Sequence, residues 1–197
     1  MDTNRGQPFL FKVANEAEAA AALEMQRTVY QEDIGHIPSD GLDEIATHLV
    51  TLDRSGRIVA AARVLGPELR PFDIEKEVDL SQIVGVNGSP ALVGRLCVRR
   101  EHRALPNGQL INFGMLKLAF ALARKRGFSH YILYTYDNLL TFYRGAMFQP
   151  VGVFRHPYWG QVHLMLLDFA GLDHQDRNSL HPLLRRLLAS EQPVVLV

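Results

Sequence analysis

"VGRLCVRREHRALPNGQLINFGMLKLAFALARKRG", residues 93–127, decides the fold. An apolar strand passes through a short basic stretch and a Pro-Asn-Gly turn into a long apolar helix. The pattern predicts a strand over 91–98 and a helix over 109–126. Lys117 is the helix's one charge before its end, so most of its circumference is expected to be buried. Lys125, Arg126 and Gly127 close it with a basic last turn and a glycine stop. A strand feeding a helix through such a turn aims backbone N–H groups outward, and the helix N-terminus adds partial positive charge. Phosphate is the natural occupant of that arrangement. Arg99, Arg100 and Arg103 reinforce the charge, and Gly108 permits close backbone approach. A solvated basic turn capping a buried helix explains the same residues, so this feature alone leaves both readings open.

Working outward, "PFLFKV" (8–13) reads as a strand and 15–33 as a helix, with Asn15 as cap and Glu16 and Glu18 in the first turn. The Gly- and Pro-containing 34–44 segment reads as a loop. "THLVTLD" (47–53), the Arg54-Ser55-Gly56 turn and "RIVAAARVLG" (57–66) form a hairpin signal. Residues 67–90 read as a connection with one helical turn. Beyond the long helix come a strand over 130–136, an amphipathic helix over 138–148 and a final hairpin. The tail from 170 holds a short helix over 180–190 and ends in the apolar "PVVLV". This order predicts an α/β (α+β) domain over 1–169, built as a mixed, mostly antiparallel sheet of about seven strands with about four flanking helices, followed by a tail over 170–197.

Composition excludes several function classes. The formal net charge is +0, so no overall field draws the chain to nucleic acid or an anionic surface. One cysteine, Cys97, permits neither an internal disulfide nor a thiolate metal cluster, and the histidines show no zinc-ligand spacing. No stretch has the length of a membrane span, and no signal-peptide pattern opens the chain, which predicts a cytoplasmic protein without stable membrane insertion.

The order of elements, with "VGRLCVRREHRALPNGQ" before a long helix and "NLLTFYRGAMFQPVG" after the next strand, resembles the GNAT superfamily of N-acyltransferases. The resemblance implies a GNAT fold and an acyl thioester as co-substrate, with no tightly bound cofactor. It places donor binding on Leu96, Cys97 and Val98 of the strand and on Arg103, Asn107, Gly108 and Gln109 of the turn. "FYRGAMF" (142–148) is similar to the family's FYxxxGF segment, whose tyrosine protonates the leaving thiolate; by position that residue is Tyr143. One departure stands out. Pro106 occupies the place of the turn's first glycine and removes one N–H donor.

The N-terminal third is similar to the acyl-homoserine-lactone synthases and closer still to the N-acyl amino acid synthases, which take long acyl chains from acyl carrier protein. Shared landmarks are Arg27 and Tyr30 at a helix end, Asp40, Asp43 and Glu44 in the loop, Arg63 late in the third strand and Arg95 in the fourth. The resemblance implies that Arg27, Tyr30, Asp40, Asp43, Arg63 and Arg95 bind the acceptor. Leu92 stands where the lactone synthases carry a glutamate, which favours simple N-acylation over lactone synthesis. A carrier protein's phosphopantetheine bears one phosphate and no nucleotide, so a turn with fewer amide donors suits it.

Acyl transfer to an amine needs a neutral amine, a polarised carbonyl and a protonated leaving thiolate. Backbone N–H groups of Leu96 to Val98 suit the carbonyl, and Tyr143 the thiolate. For the base, Glu101 is taken first, with His102 or a water relayed by Glu44 or Asp43 as alternatives. Arg63 and Arg95 in apolar strands require an anionic partner, either an internal carboxylate or a substrate's. The expected function is N-acyl transfer, of fatty acyl groups, from acyl carrier protein or CoA to an amino acid or peptide amine. An acetyl-CoA-dependent acetyltransferase and a silent thioester-binding module are the alternatives.

Overall fold

A computed structural model describes residues 8–36, 39, 41–104, 106–156, 159–174, 182, 185 and 194–196. The chain divides into two compact units, and the strands β3 (Ile58–Leu65) and β4 (Pro90–Val98) each contribute to both.

The first unit comprises Met1–Arg63, Arg95–Leu122 and Glu191–Val197. Here β1 (Phe9–Val13) pairs antiparallel with β2 (Thr47–Asp53), from Phe9↔Asp53 to Val13↔Leu49. On its other edge β1 pairs parallel with the two-residue β8 (Val194–Val195). Helix α1 (Glu16–Ile34) starts on a capping box: Glu18 N–H donates to Asn15 Oδ1, and Asn15 N–H to the Glu18 carboxylate, both at 2.9 Å. It ends at Gly35, whose φ of 73° is the left-handed stop that glycine tolerates. Ala22, Met25 and Val29 of α1 pack on Val50, Ile58, Ala61 and Cys97. Asp53 organises the β2–β3 turn by accepting from the N–H groups of Ser55 and Arg57 at 2.8 and 3.0 Å. The long helix α3 (Asn107–Arg126) lies so close to β1 that a Cβ on Gly114 would stand 2.1 Å from the Phe11 ring.

The second unit comprises Val64–Gly94 and Ala123–Ser190. Strand β4 pairs parallel with β5 (His130–Thr135) from Pro90↔His130 to Leu92↔Ile132, and the ladder covers only those three residues of each. On its other edge β5 pairs antiparallel with β7 (Gly160–Asp168), which pairs antiparallel with β6 (Gln149–His156) through a bulge between Pro150 and Gly152. Tyr131, Ile132, Leu133, Phe148, Leu164, Met165 and Leu167 are buried there. The connection expected over 67–90 is more structured than a single turn: two 3-10 turns precede α2 (Leu80–Val84), which Asp79 caps.

The helix expected over 138–148 is shorter, with a 3-10 turn at Asp137–Leu139 leading into α4 (Leu140–Gly145). A Schellman closure ends it. Phe148 N–H returns to Tyr143 O and Met147 N–H to Arg144 O, both at 3.0 Å, with Met147 at φ 71° in the position usually held by glycine. A further short helix, α5 (Phe169–His174), follows β7. The helix expected over 180–190 lies, but for Pro182 and Arg185, outside the described residues. The mixed, mostly antiparallel sheet with flanking helices is the expected architecture. Among the described residues the strands number eight, β8 being the addition, and the α-helices five, of which the short α2 and α5 were not expected.

Candidate functional site

Strand β4 is irregular where the first unit takes it over. Arg95 has φ 56°, in the left-handed region, and its carbonyl accepts from Gln26 Nε2 of α1 at 2.9 Å. Gln26 is buried, so this bond satisfies a polar group the core would otherwise penalise. Beyond it, Leu96 is half-buried, while Cys97 and Val98 are buried. Burial pushes the Cys97 thiol up to about 12, which makes it a small apolar residue and no nucleophile.

The turn after β4 is held by its own side chains. Arg99 Nε donates to Ile58 O at 2.8 Å. Arg103 donates through Nε to Val98 O at 2.7 Å and places Nη1 and Nη2 on the two Asp33 carboxylate oxygens at 3.0 and 2.7 Å. Gly108 N–H returns to Ala104 O at 3.1 Å. A Cβ on Gly108 would stand 2.3 Å from Arg103 O, so glycine is required here for close packing within the turn. Asn107 and Gln109 are exposed on the first turn of α3, which carries no acidic residue. Of the residues assigned to the donor phosphate, Arg103 and the Gly108 N–H are thus engaged internally, whereas Asn107 and Gln109 face solvent.

Asp43, Arg63 and Arg95 come together in the same unit. Arg63 ion-pairs with Asp43 Oδ1, and Arg95 Nη2 lies 3.8 Å from Asp43 Oδ2. The two arginine side chains are only 5% and 9% exposed, against 22% for Asp43, so both cations are carried into a poorly solvated place. Beside them the buried His48 ring places Nε2 2.7 Å from Asp43 O. Two other expected acceptor residues stand differently. Arg27 is exposed and pairs with Glu24 at 3.7 Å, and Tyr30 is half-buried. Asp40 lies outside the described residues.

Glu101 is exposed, 3.3 Å from Arg57. A hydrogen bond from its own backbone N–H, with Arg57 close by, holds its carboxyl below the ordinary range, which leaves it a weak base. His102 sets its ring edge-on to Phe9, with centroids 6.0 Å apart. In the second unit Tyr143 is buried against Phe142 and Phe148, with ring centroids at 5.2 and 5.6 Å, and burial pushes its phenol up to about 12. The same unit builds a group that the residue pattern did not flag. Asp73 accepts from the Tyr134 hydroxyl and lies 3.3 Å from His156 Nε2. Asp33, Gln26 and His48 were missed as well. Only His48 leaves a trace, as a polar residue beside Leu49 and Val50 in β2.

Residues 19–111 match the Acetyltransferase (GNAT) domain family. No match is found among curated protein sequences. Among solved structures the chain is similar to FeeM, an N-acyl amino acid synthase from uncultured soil microbes, with a TM-score of 0.71 at 14% identity over 90% of this chain and 96% of that one. It is also similar to BjaI, a CoA-dependent acyl-homoserine lactone synthase, with a TM-score of 0.70 at 14% identity over 96% and 93%. A third likeness is to the Drosophila melanogaster polyamine N-acetyltransferase, with a TM-score of 0.60 at 14% identity over 82% and 100%. At such identities these likenesses establish the fold. The segment that matches the GNAT acetyltransferase domain, residues 19–111, lies within the fold that this chain shares with these structures.

Proposed function

We propose that the protein transfers an acyl group, of fatty length, from a phosphopantetheine thioester to the amine of an amino acid. The observation that carries this reading is the grouping of the part-exposed Asp43 with the buried side chains of Arg63 and the left-handed Arg95. An amino acid presents an ammonium and a carboxylate together. A part-exposed aspartate suits the first, and guanidinium forks, with five N–H donors each, suit the second. The likeness to an N-acyl amino acid synthase supports the same acceptor class. The donor side of the reading rests on the turn. Pro106 offers no N–H, Gly108 N–H is occupied, and Arg103 is shared with Asp33, a set better matched to one phosphate than to a nucleotide's several.

In the proposed reaction the neutral amine attacks the thioester carbonyl directly. The N–C bond forms and the C–S bond breaks, with backbone N–H groups of Leu96 to Val98 polarising the carbonyl. Tyr143, a phenol kept neutral by burial, delivers its proton to the departing sulfur and is reprotonated from solvent. Arg27, Tyr30 and Asp40 complete the acceptor assignment, and Asn107 and Gln109 the donor assignment.

The test compares donors. Purified protein is given long-chain acyl-(acyl carrier protein) or acetyl-CoA together with the standard amino acids, and product is read by mass spectrometry. Faster transfer from the carrier-bound long chain is expected. Equal or faster use of acetyl-CoA would leave a plain acetyltransferase, and donor binding without turnover a silent thioester-binding module.

A further inference from the structure

The acyl-transfer reading leaves one reaction component unassigned: the group that removes the amine's proton. Glu101, held ionised on the surface beside Arg57, is poorly suited to it. The first unit offers a different candidate. His48 is 3% exposed, and its Nε2 lies 2.7 Å from the backbone carbonyl of Asp43. A carbonyl only accepts, so Nε2 must carry the hydrogen. In the neutral ring Nδ1 is then a bare lone pair. That Nδ1 is buried and has no hydrogen-bond partner among the described residues. An unanswered acceptor in a protein interior costs free energy and calls for an explanation, such as a ligand, a water or a catalytic task.

Its surroundings narrow the choice. The carbonyl that orients His48 belongs to the residue whose carboxylate holds Arg63 and stands 3.8 Å from Arg95. The charged groups that act on the ring are Asp43 and Arg63. Burial is the largest influence and holds the imidazole below its ordinary value, so it is neutral and able to accept a proton at neutral pH. His48 also shares a face of β2 with Val50, two residues on, which packs against α1 with Cys97.

We infer that His48 is the proton acceptor of the transfer reaction, its Nδ1 receiving the N–H proton of the amine as the N–C bond forms. The inference rests on the acyl-transfer reading. The proton balance closes with it: the amine's proton passes to His48 and thence to solvent, while the sulfur receives its proton separately from Tyr143. His48 is then a catalytic residue, and Asp43, through its backbone carbonyl, is the positioning residue that selects the ring's tautomer.

Two variants separate this from a purely structural role. His48→Gln can keep an N–H directed at Asp43 O but loses the basic nitrogen. His48→Ala opens space that added imidazoles can enter. Steady-state transfer is measured for the full chain, with long-chain acyl-(acyl carrier protein) and acetyl-CoA as donors and the standard amino acids as acceptors. For His48→Gln, kcat is expected to fall by about 100- to 10,000-fold with unchanged donor KM and melting temperature. For His48→Ala, turnover is expected to return with added imidazoles and to rise with their basicity. Near-wild-type turnover in His48→Gln overturns the assignment and leaves acyl transfer standing, as does rescue indifferent to basicity. If His48→Gln does not fold, the imidazole series decides alone. A wild-type protein inert toward every amine overturns acyl transfer and the assignment together.

Discussion

Arg103 grips Asp33 with both ends of its guanidinium, at 3.0 and 2.7 Å, while its Nε holds Val98 O at 2.7 Å. The last turns of α1 are thereby tied to the turn that follows β4. The residue assigned to the donor's phosphate is already answered by a carboxylate of the protein itself, so an incoming phosphate competes with Asp33.

That competition is measurable. Exposed ion pairs contribute about 0.2–1 kcal/mol, and both partners here are about a third exposed. Asp33→Asn is therefore expected to tighten CoA binding by about two- to fivefold in calorimetric titration, and Arg103→Gln to weaken it. Unchanged affinity in both variants would remove Arg103 from the donor site.

Tyr143 offers a second test. Its phenol, raised from 10.0 to about 12 by burial, stays protonated across the working range and so remains a proton donor. Tyr143→Phe is expected to lower kcat by about 100-fold with little change in donor KM. Unaltered kcat would refute the acid role. Because the phenol does not ionise below about 12, no basic limb in the pH–rate profile should disappear with this substitution.

Stability should depend on alkaline pH with a defined sign. Burial raises Cys97 from 9.0 and Tyr143 from 10.0, each to about 12. Both groups are neutral in the folded chain while their unfolded counterparts ionise. Their contribution is complete below about pH 9 and is lost as pH climbs toward about 12. Denaturant unfolding at increasing pH should show a fall beginning near pH 9, and Cys97→Ala should delay its onset. An identical fall in that variant would exclude Cys97 as the source.

Gly114 sets the approach of α3 to β1. An added Cβ would meet the Phe11 ring at 2.1 Å, and a packed ring cannot withdraw as a flexible chain end can. Gly114→Ala is expected to cost about 1–3 kcal/mol in chemical denaturation, with partial recovery in Gly114→Ala/Phe11→Leu. A melting curve like that of the parent would show that the helix shifts freely along the sheet.

Local rules made much of this fold legible. Asn15 with Glu16 and Glu18 announced the start of α1, Arg54-Ser55-Gly56 the hairpin turn, and Lys125 to Gly127 the end of α3. What escaped depends on distance along the chain or on backbone state. Arg103 and Asp33 are 70 residues apart, and Gln26 and Arg95 are 69 apart, so no spacing joins them. Arg63 and Arg95 read correctly as needing an anion, with an internal carboxylate or a substrate's left open; the fold supplies Asp43. Met147 ends α4 in a conformation that normally signals itself through glycine, which is why the helix read too long. His48 stands alone in β2, and its orientation by Asp43 O appears only in the folded chain.

The left-handed Arg95 sets two demands against each other at one position. Its backbone would be relaxed by glycine, since that conformation costs a residue with a side chain roughly 1–3 kcal/mol. Its guanidinium, close to Asp43, requires arginine. Arg95→Gly should therefore pull in opposite directions, easing the main chain while stripping away a buried cation. The residue in place keeps a strained main chain and a cation beside Asp43, at the point where β4 leaves its ladder with β5.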